Sequence, residues 1–228
     1  MILDMSGLKA DYYVLTPALV RKLLKGGRNT LLRRGQILDG VGAIFLGSPP
    51  GRNKPVVTFM IREADTGKLA DMGGRYDPHH KNSIEVLQDE VYEESATTLK
   101  IGVTKDGHLI LNERLDLTDH PAIILDTYGH RGNKVYRVFV FDVGDNYSTD
   151  LFNTRRMREA HNALLRRGAP KSYIETSEAQ HITLKSIKKA LDENRINKPC
   201  SVSNMNKCVG ELRPRTARIF RILFMGSE

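Results

Sequence analysis

The sequence predicts an α+β protein in which helices cover a mixed β-sheet, with a basic helical segment at the N-terminus. Apolar runs of strand length lie on both sides of one short amphipathic helix, and three further helical patterns follow them. The strand predicted for residues 134–143 is apolar on both faces, which is typical of a central strand. No apolar run approaches the roughly 20 residues that span a bilayer, so we expect no membrane association.

Turn and capping signals give the order of the elements. Thr16-Pro17 starts a helix that Gly26-Gly27 ends, and β-type patterning begins at Gln36. We therefore divide the chain into an N-terminal basic helical extension, residues 1–35, and one domain, residues 36–228. Strands are predicted for residues 41–46, 56–62, 99–103, 108–112, 123–128 and 134–143. Helices are predicted for residues 84–95, 150–167, 183–191 and 215–225, a strand and loop for residues 173–182, and a polar loop for residues 194–207.

The net charge of +8 favours an anionic partner. The basic residues form two clusters, one in residues 21–34 and one in residues 155–171. Each cluster alone is compatible with a solvated helix face, whereas the two together favour a nucleic-acid or polyphosphate partner. The chain has no Trp, so a stacking platform for single-stranded nucleic acid is not evident.

The cysteines and the N-terminus indicate an intracellular, cytoplasmic protein. The first residues lack the basic region and the long apolar core of a secretory signal. Cys200 and Cys208 have neither the spacing nor the neighbouring histidines of a zinc site, and two cysteines cannot form a disulfide framework.

Three glutamates share one side of the helix predicted for residues 84–95. The spacing E-x-x-E-E places Glu90 and Glu94 one turn apart, with Glu93 beside both. Like charges at this spacing repel one another unless they are solvated or neutralised by cations. Hard cations such as Mg²⁺ bind carboxylate oxygens and commonly bridge to substrate phosphates. The helix is therefore a candidate metal site, and a solvated acidic face is the alternative.

Residues 73–97 resemble the Nudix box, G-x5-E-x7-R-E-U-x-E-E-x-G-U, in which U is apolar. The matching residues are Glu90, Val91, Glu93 and Glu94, with Gly73 and Gly74 upstream. Asp89 replaces the arginine of the pattern, Ala96 its late glycine and Thr97 its last apolar residue. The resemblance extends loosely over residues 36–228.

The loop before the helix departs further from the pattern. The earlier glutamate of the box falls on Lys81 and its glycine falls on Arg75. Asp77, His80 and Glu85 are candidate replacements for that glutamate, and the sequence does not choose among them.

The resemblance implies a Nudix-like α/β/α sandwich that hydrolyses a nucleoside diphosphate linked to another group, with Mg²⁺ or Mn²⁺. It implies that Glu90, Glu93 and Glu94 are the metal ligands. Glu90, Glu93 and a glutamate of a later loop are candidate catalytic groups. Glu175 and Glu178 both lie in that loop, and we select Glu178, although either is also compatible with a surface acid.

Four residues are candidate phosphate ligands: Arg62, Gly73, Gly74 and Arg75. The glycines would allow close approach of the backbone to phosphate, and an ordinary turn is the alternative. Arg62 ends a predicted strand that enters the site. His79 and His80 are predicted to be loop residues, because the expected cation prefers oxygen ligands.

Three functions are compatible with these features, and the first two differ in substrate. The first is capped RNA, because of the charge and because some virus-encoded Nudix decapping proteins share the GG-x-x-D loop and the E-E-S ending. The second is a small polyphosphate, such as a dinucleoside polyphosphate, a nucleotide sugar or an inositol pyrophosphate. The third reading is a non-catalytic Nudix-like binding module, suggested by the missing arginine and earlier glutamate.

Overall fold

The computed structural model describes residues 11–49, 55–129, 133–148, 150–193, 201–204 and 207–225. The strands are β1 Tyr12–Val14, β2 Ile37–Gly47, β3 Val57–Glu63, β4 Leu69–Ala70, β5 Met72–Arg75, β6 Ile101–Val103, β7 Leu109–Leu111, β8 Leu115–Asp116, β9 Ala122–Tyr128, β10 Lys134–Asp142, β11 Thr176–Thr183, β12 Ser201–Asn204 and β13 Lys207–Glu211. The helices are α1 Pro17–Lys25, α2 Ser83–Glu94, α3 Thr154–Arg166, α4 Leu184–Glu193 and α5 Pro214–Met225.

The main sheet is mixed and has eight strands. Its path is β1-β9-β10-β2-β3-β11, with β4 added to β3 and β5 added to β2. β2 and β10 pair in parallel, and the other neighbours in this sheet are antiparallel. β2 pairs with β5 through its first half and with β3 through its last residues. This split places β5 and the end of β3 at the same edge of the cavity described below.

Helices cover both faces of the sheet, which confirms the predicted α/β/α sandwich. Apolar residues of α1, α2 and α3 pack on one face, and those of α4 and α5 pack on the other. In β10, Phe139 and Phe141 join the first core, whereas Val138 and Val140 join the second. The central strand is therefore buried on both faces, as its apolar pattern predicts.

The N-terminal segment packs into the same core as the main sheet. Thr16 caps α1 by accepting a hydrogen bond from the Leu19 backbone N–H, as the Thr-Pro signal predicts. Val20 and Leu23 are buried on the core side, and β1 pairs with β9 at the edge of the sheet. Apolar patterning did not reveal β1, because the strand has only three residues.

Two predicted loops are wrong. Gly73 and Gly74 lie in β5, hydrogen-bonded to β2, and not in a loop before the helix. In the range 194–207, residues 201–204 form β12, which pairs with β13 as a hairpin. Residues 194–200, with Cys200, lie outside the described part of the chain. A strand is recognised by alternating apolar and polar residues, and strands of four or five residues contain too few alternations to reveal it.

None of the helices in the described ranges is long and apolar enough to cross a membrane.

Candidate active site

Helix α2 holds the glutamates at a fixed orientation. Asn82 caps the helix, because its Oδ1 accepts hydrogen bonds from the backbone N–H groups of Ile84 and Glu85 at 3.0 and 3.1 Å. Glu85 in turn accepts the Lys81 backbone N–H at 2.7 Å, so its carboxylate serves the cap. The buried apolar residues of α2 belong to the core that this helix shares with α1 and α3. The helix therefore cannot rotate without exposing them.

The C-terminal end of α2 borders a polar cavity of about 700 Å³. Glu90, Glu93 and Glu94 all line it, so the structure brings together the three predicted metal ligands. Gly73, Gly74 and Arg75 of β5 also line the cavity. The remaining charged residues of the lining are Glu63, Asp65, Asp77, Lys171, Glu175, Arg213 and Arg215.

Gly74 is the residue that allows Glu90 to lie against the sheet. A β-carbon at this position would be 2.5 Å from Oε2 and 2.7 Å from Cδ of Glu90. Gly73 is constrained differently, because a β-carbon there would collide with backbone atoms of Val41 and Gly42. The glycine pair therefore makes room inside the sheet and is not an ordinary turn.

All three glutamates are held in an environment that opposes their ionisation. Burial, followed by repulsion from Glu94 and Glu93, raises the pKa of Glu90 to about 8. Burial also raises the pKa of Glu94 to about 7, against the hydrogen bond that Thr176 Oγ1 donates to its carboxylate. Burial raises the pKa of Glu93 as well, while Ser172 lowers it. A cation in the cavity would relieve this repulsion.

Arg215 supplies positive charge on the sheet side of the cavity. Its Nη2 donates to the Gly73 carbonyl oxygen at 3.1 Å, and its guanidinium lies 3.8 Å from the centre of the Tyr136 ring. Asp71 lies behind it, at 3.7 Å from Nε, and accepts hydrogen bonds from Tyr136 Oη and Thr216 Oγ1. In the described part of the chain, Arg215 Nε is buried without a hydrogen-bond partner. This nitrogen lies toward Asp71, which is the counter-charge of the guanidinium.

The other candidate residues are placed as follows. Arg62 and Glu178 form an ion pair with each other, Nε to Oε1 at 2.7 Å, across β3 and β11. Neither residue is part of the cavity lining, whereas Glu175, the other loop glutamate, is part of it. Of the candidate replacements for the earlier glutamate, Asp77 alone lines the cavity.

His79 and His80 lie between the cap and the cavity. His79 Nδ1 is 2.7 Å from Asp77 Oδ1, and this hydrogen bond is the main cause that raises the pKa of His79. The pKa of Asp77 is lowered first by the backbone N–H of His79, which donates to Oδ1 at 3.1 Å, and then by the ring. His80 Nε2 is 2.8 Å from Asp89 Oδ2. Both histidines lie in the loop before α2, as predicted, and both contact carboxylates there.

Sequence reasoning missed several residues of the cavity. In the lining they are Glu63, Asp65, Lys171, Ser172, Arg213 and Arg215, and behind it Thr176 contacts Glu94 and Asp71 lies near Arg215. Most of them follow the ends of strands or precede helices far from the box in sequence, where no local pattern marks them. Glu63 is an exception, because it ends β3 directly after Arg62, and this position at the strand end could have predicted it from the sequence.

The donor chemistry of the cavity fits a hard divalent cation. The acidic side chains that line it are glutamates and aspartates, which offer oxygen ligands of the kind that Mg²⁺ and Mn²⁺ accept. Glu90 and Glu94 are half-buried with raised pKa values, so their ionised forms need a counter-charge. Glu90, Glu93 and Glu94 are the residues that would hold such an ion.

Comparison with known proteins adds structural likenesses only. No protein-family model and no curated protein matches the sequence. Among solved structures, the chain is similar to a Nudix hydrolase from M. smegmatis, at 12% identity and a TM-score of 0.35, over 67% of this chain and 74% of the other. It is also similar to the C. elegans Ap4A hydrolase in a binary complex, at 11% identity and a TM-score of 0.35, over 67% and 85%.

A third structure is the NUDIX domain of Shewanella oneidensis NrtR in complex with ADP ribose, at 9% identity and a TM-score of 0.34, over 67% and 76%. Backbone agreement at this level does not carry a functional assignment. The function proposed for this protein therefore rests on the side chains of the cavity.

Proposed function

We propose that this protein is a divalent-metal-dependent hydrolase of the Nudix type, which cleaves a phosphoanhydride bond in a nucleoside-diphosphate-linked substrate. The observation that carries the proposal is that half-buried carboxylates and guanidinium groups line one cavity. Glu90 and Glu94 line it together with Arg215 and with Arg213, which pairs with Glu63 at 2.6 Å. Metal-loaded carboxylates and guanidinium groups in one cavity are complementary to a diphosphate.

The residues divide by chemistry. Glu90, Glu93 and Glu94 would hold Mg²⁺ or Mn²⁺, which supplies charge neutralisation and polarises the phosphoryl oxygens. Arg215 donates hydrogen bonds to the diphosphate and is positioned by its contacts with Gly73 and Tyr136. Arg75 and the backbone of Gly73 and Gly74 line the same cavity and complete the phosphate side.

The general base must reach a water molecule in the cavity. Glu175 meets this requirement better than Glu178, because Glu175 lines the cavity whereas Glu178 is paired with Arg62. Glu90 and Glu93 remain candidates for the same role, since both carboxylates line the cavity and have raised pKa values. Burial of the kind that raises these pKa values is a common way to tune a carboxylate for base catalysis near neutral pH.

Within this reaction class, we propose capped RNA as the substrate, with hydrolysis in the phosphate bridge of the 5′ cap. The supporting observation is the position of the α3 basic cluster. The arginines of this cluster are exposed, and the chain runs from them directly to Lys171 at the cavity lining. They are Arg155, Arg156, Arg158, Arg166 and Arg167. An anionic chain that leaves the cavity past Lys171 would meet this cluster.

The α1 cluster supports RNA binding less directly. Arg28 donates to the Leu38 carbonyl oxygen at 2.7 Å and lies over the Tyr76 ring, and Arg33 pairs with Asp11 at 2.9 Å. Arg155 of α3 likewise pairs with Glu159, at 2.8 Å, so we assign the RNA contact to α3 because the chain runs from this helix to Lys171 at the cavity.

A small polyphosphate is the second candidate. A cavity of about 700 Å³ is large enough for a nucleotide without any contact to α3. Such a substrate requires the same carboxylates and guanidinium groups and makes no use of the exposed arginines.

A substrate panel with Mg²⁺ and Mn²⁺ separates these possibilities. Capped RNA is expected to release a methylated guanosine diphosphate, detected by mass spectrometry, and Glu94→Gln is expected to abolish release while RNA binding remains. Glu193→Gln, an exposed glutamate on the opposite helical layer, is the matched control. Cleavage of free dinucleotides without cleavage of capped RNA would assign the small-polyphosphate function. Binding without cleavage of any compound at any metal concentration would assign a binding module.

The role of α3 is tested by charge removal. Substitution of Arg155, Arg158 and Arg166 by Ala is expected to weaken RNA binding and to lower its dependence on salt concentration. Substitution of three exposed lysines on α4, Lys185, Lys188 and Lys189, removes the same charge from the other face and is expected to have little effect. Equal losses in both variants would indicate that net charge alone attracts the RNA.

A further inference from the structure

Two imidazole rings and a carboxylate converge just outside the glutamate cavity. The rings of His79 and His80 lie 3.9 Å apart, centre to centre. Both present Nε2 to the same oxygen, Oδ2 of Asp89, at 3.7 Å from His79 and 2.8 Å from His80. The ligand atoms of the three side chains all lie within 4.8 Å of one another.

We propose that His79, His80 and Asp89 form a second cation site, selective for Zn²⁺ and similar borderline divalent ions. Imidazole nitrogen favours these ions, whereas Mg²⁺ and Mn²⁺ favour carboxylate and water oxygen. The site thus differs in chemistry from the glutamate cavity, although Asp89 precedes Glu90 in the same helix.

The donor spacing is close to that of a coordinated ion. At Zn–N distances of about 2.0–2.1 Å, tetrahedral geometry places neighbouring donor atoms about 3.3 Å apart. The separations of 2.8 and 3.7 Å bracket this value, so small side-chain rotations suffice to close the site. Three protein ligands leave one position for water, which suits a site open to solvent.

The contact behind His79 is of the kind that orients a metal-ligating imidazole. Asp77 Oδ1 lies 2.7 Å from His79 Nδ1, and in the neutral ring whose Nδ1–H donates to it the Nε2 lone pair is directed at the site. A carboxylate behind a ligating histidine is the usual outer-shell arrangement in metal sites. Without a proton or a cation on Nε2, this lone pair would face the Asp89 carboxylate, which is unfavourable.

His80 is the rigid member of the site. Its side chain is 6% exposed and packs edge-on against the Tyr76 ring. In the described part of the chain its Nδ1 is buried without a hydrogen-bond partner, so the ring proton lies on Nε2, 2.8 Å from Asp89 Oδ2, and a bound ion would displace this proton. His79 and Asp89 are 66% and 57% exposed, which provides an entry path for the ion.

A matching three-donor group occurs elsewhere in the described chain, and it is a weaker candidate. His108 lies 2.7 Å from Asp116 and 3.8 Å from Asp119, but it supplies a single imidazole. Two imidazoles distinguish the His79 site, and we restrict the proposal to it.

The test measures Zn²⁺ binding by competition with a chromophoric chelator. The parent protein carries Glu90→Gln and Glu94→Gln, which removes carboxylate ligands of the cavity, so the readout needs no turnover. The parent is expected to bind one more equivalent of Zn²⁺ than the same protein with His79→Ala. Millimolar Mg²⁺ is expected to leave this equivalent in place.

Two further variants sharpen the test. Asp77→Asn keeps all three ligands and is expected to weaken Zn²⁺ binding by about 10–100-fold, the effect of losing an outer-shell carboxylate. His120→Ala is the matched control, since His120 contacts Asn146 and belongs to no three-donor group in the described chain. Equal stoichiometry in the parent and the His79→Ala variant would overturn the proposal, as would displacement of the extra Zn²⁺ by Mg²⁺.

Discussion

Glu90 lies against the backbone of Gly74, so closely that a β-carbon on Gly74 would be 2.7 Å from the Glu90 carboxyl carbon. Helix α2 and strand β5 therefore approach each other closely at this pair of residues. Glycine at position 74 is required by the acidic side chain opposite and not by its backbone conformation, since β5 is an ordinary strand here.

Gly74→Ala is expected to lower activity and to preserve the fold. The methyl group would meet the end of a flexible side chain, so the Glu90 carboxylate can move away at small cost and lose its position in the cavity. We expect kcat/KM to fall by at least about 10-fold, the loss that 1.4 kcal/mol of transition-state stabilisation represents. Hydrolysis assays and thermal unfolding measure the two effects separately.

Gly73→Ala and Gly27→Ala are the controls for this prediction. At Gly73 the new β-carbon would meet backbone atoms of Val41 and Gly42, so unfolding at lower temperature is expected. At Gly27 the new atom has no neighbour within 4 Å, so stability and activity should both persist. Full activity in Gly74→Ala would contradict the role assigned to its contact with Glu90.

The stability of the metal-free protein is expected to fall as pH rises. The pKa of Glu90 is raised to about 8 from its ordinary value of 4.5, so the folded state binds the proton more tightly than the unfolded state. The resulting stabilisation is complete below about pH 4.5 and is lost as pH rises through 8. The change amounts to roughly 2–5 kcal/mol, and chemical denaturation at several pH values measures it.

Glu90→Gln tests the origin of this pH dependence. The amide does not titrate, so the variant is expected to lose less stability between pH 5.5 and 8.5 than the unmodified protein, about 1 kcal/mol or more. Addition of Mg²⁺ at pH 8 should stabilise the unmodified protein more than the variant. The same pH profile in both proteins would show that Glu90 is not the group responsible.

Asp126→Asn is expected to destabilise the protein by about 3–5 kcal/mol. Asp126 Oδ1 and Oδ2 accept hydrogen bonds from Nε and Nη2 of Arg137, both at 2.8 Å, and the two side chains are 3% and 0% exposed. Loss of the carboxylate charge would leave a buried guanidinium without its counter-ion. Arg137 Nη1 also donates to the Thr30 carbonyl oxygen at 3.0 Å, so the segment after α1 should loosen as well.

Asp39→Asn provides the comparison for this ion pair. Asp39 pairs with Lys134 at 2.9 Å, but both side chains are largely exposed. The expected cost is below about 1 kcal/mol. Chemical denaturation of the two variants measures the difference, and hydrogen exchange reports on residues 26–35. Equal costs for the two substitutions would contradict the assignment of Arg137 as a buried, charge-dependent anchor.

Thr97→Gly is expected to stabilise the protein by about 0.5–1 kcal/mol. Thr97 has φ +67°, a left-handed conformation that a β-branched residue adopts at a cost. Glycine removes this cost, and its greater freedom in the unfolded chain cancels part of the gain. Thermal unfolding measures the difference. Thr97→Ala removes the hydroxyl group and keeps a β-carbon, so a similar gain in that variant would contradict the explanation.

Local sequence was sufficient for the elements whose signals are short-range. The Thr-Pro cap predicted α1, the apolar period predicted α2 and its buried face, and the two-sided apolar run predicted β10 as a central strand. The spacing of Glu90, Glu93 and Glu94 likewise required that they share one side of a helix. These features depend on residues within one or two turns of each other, where backbone geometry alone sets the side-chain positions.

Tertiary structure decided which distant residues meet that helix. The pairing of β2 with β5 placed Gly74 opposite Glu90, and the start of α5 brought Arg215 to Gly73, across 142 positions of sequence. The pairing of β3 with β11 joined Arg62 to Glu178 and left Glu175 at the cavity. Strand register and helix docking are set by the packing of the whole core, so no local pattern contains this information.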